Sequence, residues 1–257
     1  MRDGTADSDD PVILQAGLPY ALPERLPGMA PLDPANWILV DDAFTAQMAL
    51  RERLVSQRRE AVIALEGAAR PAATELLEEV LAALRLRQDY SVADDLVTRP
   101  DGALVVLQRD DPLATLGRLV QQDFCLMEKR GAEHVLTGAV LCFPAHWTLA
   151  EKFGHPLVRI HVPVPDYDEG LARRVQRLFD GVQAGRPLWR ANGMACTDPA
   201  LFAPMSESIS RAERHPGQGG YMRSERQSLW RLPQSGAVAF GIHTFMIRNP
   251  EASATQL

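Results

Sequence analysis

The alternation of apolar and polar positions divides this chain into a helical first part and a strand-rich second part. Over residues 43–63, and again over 73–85, apolar residues recur at helical spacing. In the second run Leu76, Leu77, Val80, Leu81 and Leu84 fall together, which predicts a helix with one buried face. The period then changes. Residues 103–107 read as a strand and 112–120 as a short helix. Residues 124–129 and 135–143 read as two strands whose polar connection, 130–133, suits a hairpin. Residues 157–162 read as a further strand, closed by Pro163 and Pro165. A helix is expected over 169–182, with Leu171, Val175, Leu178, Phe179 and Val182 on one side and Gly185 and Pro187 ending it. Residues 206–218 are polar and read as a loop or short helix, and 237–247 as a long strand following the Gln234-Ser235-Gly236 turn. Helices first, then a mostly antiparallel sheet with one long helix inserted, is an α+β order rather than βαβ. The N-terminal stretch is broken by Pro19, Pro23 and Pro27, so residues 1–30 are expected to form a flexible arm that wraps on a single domain of 31–257.

Composition narrows the function classes. The 257 residues are 46% hydrophobic and 23% charged, the profile of an ordinary globular protein with enough chain for a real core. A net charge of -6 with no basic stripe argues against a nucleic-acid partner. No apolar run is long enough to span a membrane, and the acidic, polar start is unlike a secretory or transit signal, so the expectation is cytoplasmic. The three cysteines, Cys125, Cys142 and Cys196, form no CxxC pair. They suggest neither a disulfide framework nor a cluster of four thiolates, and Cys125 and Cys142 read as buried small hydrophobes.

The motif search is mostly negative. No glycine-rich nucleotide loop, GxSxG or HExxH is present. A metal-only site from His155, His161 and Glu151 can be drawn, but Gly154 and Pro156 interrupt the strand it needs. His161 stands at the end of an apolar run backed by two prolines; it is either a core histidine or a rigidly held axial ligand for iron. Asp123 opens an apolar strand, as a cap for backbone N–H groups or as a functional anion. Three arginines, Glu225 and Gln227 crowd into residues 223–231 ahead of the last strand. They form either a solvated charged face or a device for a planar anion, since arginine pairs bidentately with carboxylates.

Taken together, Gln122–Met127, Cys142–Trp147, Glu151–Gly154, Ile160–Pro165, Arg190–Asn192, Arg223–Leu229 and Arg231–Gly236 resemble the haem-dependent oxidative N-demethylase family, with a further likeness at Leu32-Asp33 and over 37–41. The resemblance spans about residues 30–248. It implies a PAS-like twisted antiparallel sheet flanked by helices, with an N-terminal helical region. It implies haem b in this chain, partner subunits carrying FMN, a [2Fe–2S] cluster and an NADPH site, and a folate-binding partner that accepts formaldehyde. The implied reaction oxidises dimethylamine to methylamine with O₂. On that footing a pocket carboxylate should receive the protonated amine, with Asp123 and Glu151 as candidates. His161 is the expected axial ligand, with His155 and His146 in reserve, and Arg190, Arg223 and Arg226 are the expected partners of the haem propionates. The chain departs from the family pattern at Gly193, where Trp is usual, and at His243, where Arg is expected. Typical members also carry a longer C-terminal region. A PAS-like haem gas sensor without turnover is the rival reading, and a structural subunit that has lost its haem is a third.

Overall fold

The computed structural model describes residues 10–22, 28–160, 169–209 and 219–250. Its frame is an antiparallel sheet of seven strands. In chain order these are β1 (Ala30–Pro31), β2 (Ile63–Leu65), β6 (Asp123–Arg130), β7 (Glu133–Val140), β8 (Leu188–Cys196), β9 (Tyr221–Arg231) and β10 (Val238–Arg248), and their spatial order is β1-β8-β9-β10-β6-β7-β2. A small second sheet holds β3 (Ser91–Val92), β4 (Leu96–Thr98) and β5 (Leu104–Val106). The helices are α1 (Phe44–Gln57), α2 (Arg59–Val62), α3 (Arg70–Arg85), α4 (Pro112–Leu119), α5 (Leu149–Lys152), α6 (Leu157–Ile160) and α7 (Glu169–Gly181). None of them is long and apolar enough to cross a membrane. The α+β order expected from the sequence is therefore present, with the sheet antiparallel throughout.

Local chemistry explains most of these elements. Pro71 and Pro112 occupy the first turns of α3 and α4, where a missing N–H costs nothing and the fixed φ is already helical. All five apolar residues expected on one side of α3 are buried there. The β6–β7 hairpin turns on Gly131-Ala132, with Gly131 at φ 62, in the left-handed region that glycine enters without strain. Gly117 of α4 lets that helix approach the sheet: a Cβ there would lie 2.9 Å from Val140 Cγ2.

Three expectations need correction. Residues 157–160 form the helix α6, not a strand. Pro156 precedes its first turn, Ile160 N donates to Pro156 O, and Lys152 Nζ donates to the Ile160 carbonyl (2.6 Å), closing the end of the helix. Apolar β-branched residues look like a strand locally; the tertiary cap decides otherwise. The charged run beginning at Arg223 is not a prelude to a strand but lies within one, β9. Neither β9 nor β8 was foreseen.

The large sheet separates two cores. One is built on α1, α3 and α4 and includes Trp37, Met48, Leu54, Leu77, Leu81, Leu116 and Phe124. Trp37 stacks on Trp230 at 3.9 Å and 11°. Residues 10–22 close this side: Ile13 is buried, Gln15 N donates to Met246 O, and Tyr20 meets Ser224 Oγ at 3.0 Å. Leu22 occupies the space above Gly193, where a Cβ would come within 2.7 Å of it. The second core, on the opposite face, joins Cys125, Met127, Leu136, Leu229, Val238 and Ile242 of the sheet to Leu149, Leu157, Phe179 and Val182 beside and within α5–α7.

Candidate functional site

Strand alternation decides which of the singled-out side chains can meet. Residues i and i+2 share a face, so Arg223, Glu225, Gln227 and Leu229 look to the second core, whereas Ser224, Arg226, Ser228 and Trp230 look to the first. Arg223 and Arg226 therefore cannot act on one ligand from the same side. Arg226 is committed to the first core: its guanidinium donates to Asn36 O (2.7 Å) and Trp37 O (3.3 Å) and lies 5.3 Å over Trp189. Burial pulls its pKa below the usual arginine value.

The second face carries a polar strip. Arg190 on β8 stands opposite Gln227, and Asn192 opposite Glu225; across β10, Thr244 stands opposite Glu225 and Ile242 opposite Gln227. Arg190 Nε donates to Gln227 Oε1 (2.8 Å), and Gln227 Nε2 donates to Glu225 Oε2 (3.1 Å). Arg190 makes no ion pair among the described residues, and burial lowers its pKa, with Glu225 pulling the other way. Arg223 is buried and spans two loops, donating to Phe143 O (2.5 Å) and Leu201 O (3.2 Å); its Nε lies 3.7 Å from Glu225 Oε1, too far for a hydrogen bond. Arg223 Nε and Thr244 Oγ1 are both buried without a hydrogen-bond partner.

Beside this strip lies apolar surface that is packed but not sealed. Met29, Leu188, Phe240, Ile160, Val175 and Leu178 are half-buried around the second core. Phe240 is notable because β10 runs through the middle of the sheet, where a fully covered face would bury it completely.

The two carboxylates proposed from the sequence both serve as anchors. Asp123 is fully buried. Arg51 Nη1 donates to its Oδ1 (2.6 Å), Cys142 N donates to Oδ1 and Phe143 N to Oδ2, both at 2.8 Å. That is the cap arrangement, sealed by a charge. Arg51 also donates to the carbonyls of Gly117, Gln121 and Gln122, so one buried pair gathers α1, α4 and the start of β6. Glu151 accepts from Thr148 Oγ1 (2.7 Å), Ser206 Oγ (2.7 Å) and Glu207 N. Burial opposes its ionisation, but these donors and Lys152 outweigh it and hold the carboxyl below the usual range. Glu207 in turn takes Arg159 at 3.0 Å and Lys152 at 3.8 Å. The network fixes α5 and α6, the segment that leads directly into position 161.

His161 lies outside the described residues. His155 is exposed, and its carbonyl accepts from Leu136 N. His146 is half-buried and adopts φ 58, a left-handed conformation uncommon for a residue with a side chain. His134, which the sequence reading passed over, is buried against Phe179 with Nδ1 2.9 Å from Gln176 Nε2 and its Nε2 unpartnered. His243 is buried on the first side, its Nε2 2.9 Å from Asp41 Oδ2. Burial opposes ionisation of Asp41, but His243, Gln121 and Gln15 together bring its carboxyl below the usual value. All three cysteines are free and buried; burial pushes the thiols of Cys125 and Cys142 up to about 12, so neither is a nucleophile near neutrality. Among the described residues no three His, Cys, Asp or Glu side chains converge as a metal site.

A side of the sheet with half-buried apolar residues, an arginine that makes no ion pair among the described residues and an unpartnered hydroxyl is suited to an amphipathic ligand of flat shape. Comparison with known families agrees in kind: the model for haem-dependent oxidative N-demethylase, alpha subunit-like proteins matches residues 28–256. With that match running from before β1 to beyond β10, the chain belongs to the haem-dependent oxidative N-demethylase, alpha subunit-like family.

Proposed function

We propose that this chain is the haem-carrying component of an oxidative N-demethylase acting on a small secondary amine such as dimethylamine. O₂ is the oxidant, and electrons come from a separate reductase with FMN, a [2Fe–2S] cluster and NADPH. A folate-binding subunit that takes up formaldehyde belongs to the same reading, as does a PAS-like classification of the sheet. The observation that carries it is the second face of the sheet: half-buried apolar residues beside Arg190, a desolvated guanidinium that makes no ion pair among the described residues.

These residues fit haem b. A porphyrin needs flat apolar contact and a cation near its propionates. Leu188, Phe240, Val175 and Leu178 would supply the first, and Arg190 the second, as the carboxylate partner for which its planar fork is suited. Arg223 lies on the same face, but two of its nitrogens already hold loop carbonyls, so its part is to shape the pocket wall. When bound, haem would supply the O₂ activation that no side chain can perform. His161 is the proposed axial ligand; it directly follows Ile160, which packs against the second core. The Glu151–Glu207–Lys152 network ties down α5 and Ile160 of α6, the residue just before His161, as a firm support for an iron ligand.

The test is a haemin titration of the purified protein and of His161→Ala, read by absorption. The parent should give a sharp Soret band with one equivalent, and the variant a shifted or collapsed one. A parent spectrum no different from free haemin would remove the proposal. A variant matching the parent would keep haem and move the ligand to His146, His155 or His134.

A further inference from the structure

The two carboxylates suggested by the sequence are both saturated with donors, yet an amine-oxidising site needs an anion for its substrate. An alkylamine titrates near the lysine value of about 10.4, so it arrives as a cation with N–H groups to place. Resting on the functional reading above, we infer that Glu225 is the carboxylate that receives the substrate ammonium, with Thr244 and Gln227 completing its berth.

Four observations converge. Glu225 lies near the centre of the second face, between β8 and β10, with its side chain 14% exposed: reachable, but shielded from bulk water. Only its Oε2 accepts a hydrogen bond among the described residues, from Gln227; Oε1 forms an ion pair with Arg223 Nε at 3.7 Å, too long for a hydrogen bond. Thr244 Oγ1, directly across the strand pair, is buried and unpartnered. Buried polar atoms are almost always satisfied, so an unpartnered hydroxyl beside a carboxylate oxygen that accepts no hydrogen bond marks a place where an N–H donor belongs. Finally, the amide of Gln227 links Glu225 to Arg190, so the carboxylate and the anion-seeking arginine stand in one chain. This face is thereby divided by charge. Arg190 favours the acidic edge of a cofactor, and Glu225 favours a small cation, which would approach along the apolar surface beside Ile242.

The small size of the berth gives its specificity. A secondary ammonium offers two N–H donors, enough for Glu225 Oε1 and Thr244 Oγ1 together. A quaternary ammonium offers none and would leave both acceptors unsatisfied, which is costly in a buried site.

Calorimetric titration with dimethylammonium chloride, with and without one equivalent of haemin, tests this. The parent should bind, and tetramethylammonium should bind at least tenfold more weakly. Glu225→Gln should lose tenfold or more in affinity, and Thr244→Val a smaller factor. Asp180→Asn, an exposed carboxylate beside the same core, should match the parent. Circular dichroism establishes that each variant is folded, and Glu225→Asp serves as the second variant should Glu225→Gln fail to fold. Unchanged affinity in a folded Glu225 variant, or no amine binding by the parent in either state, overturns the inference. A parent that binds the amine but no haemin overturns the cofactor reading alone.

Discussion

The two faces of the large sheet use polar residues in opposite ways. On the side of α1, α3 and α4, polar and charged groups find partners: Arg51 with Asp123, His243 Nε2 with Asp41, and Arg226 with two backbone carbonyls. On the side of α5–α7, Arg190 and Glu225 stay half-buried, and the buried hydroxyl of Thr244 has no hydrogen-bond partner. An arginine that folds the protein and an arginine that waits for a ligand are indistinguishable by type. The difference is whether the guanidinium already has its acceptors.

Breaking the first side should cost the most. Arg51→Met leaves the Asp123 charge buried without its partner, and breaking a buried pair this way costs about 3–5 kcal/mol. Urea denaturation should show that loss. A variant within 1 kcal/mol of the parent, an estimate well below that range, would mean that Asp123 is held by Cys142 N and Phe143 N alone.

A smaller effect is expected at Asp41. Its carboxyl titrates below the ordinary 3.8, so it contributes stability that is complete above that value and is lost as pH falls through the lower folded value. Asp41→Asn should cost about 1–3 kcal/mol near neutrality and flatten the acid limb of the stability profile. An acid limb identical to the parent's would place the sensitive carboxylates elsewhere.

The smallest change in stability belongs to the second face. Arg190→Ala removes a desolvated cation that makes no ion pair among the described residues, so stability should stay within about 0.5 kcal/mol while haemin affinity falls. The same substitution at Arg226 should do the reverse, destabilising the fold and leaving haemin affinity unchanged. Equal behaviour of the two variants would erase the distinction between the faces.

How much of this was legible in the sequence depended on whether a signal was local. α3, α4, α7, the β6–β7 hairpin and β10 carry their own period and caps, and each lies within a few residues of its expected range. β9 was hidden because neither face is conventionally apolar over 223–228: Arg223, Glu225 and Gln227 alternate with Ser224, Arg226 and Ser228, so polarity does not alternate at all. α6 was misread because its helix depends on Lys152, from a separate helix. At the site, the cluster 223–227 was visible, but not its division. Recognising it as a strand would have sent Arg223 and Arg226 to opposite faces by parity alone. The lack of a side chain at Gly193 becomes intelligible only in three dimensions, where Leu22 fills the space. His243 is likewise explained by Asp41, 202 residues away in sequence.

The central claim is that the second face is where the cofactor sits. Hydrogen–deuterium exchange with and without one equivalent of haemin tests it most directly, because α6 and α7 cover only that face and α1 and α3 only the other. The account predicts added protection in peptides covering Leu157–Ile160 and Glu169–Gly181, with none over α1 and α3. Protection confined to Phe44–Gln57 and Arg70–Arg85 would contradict it.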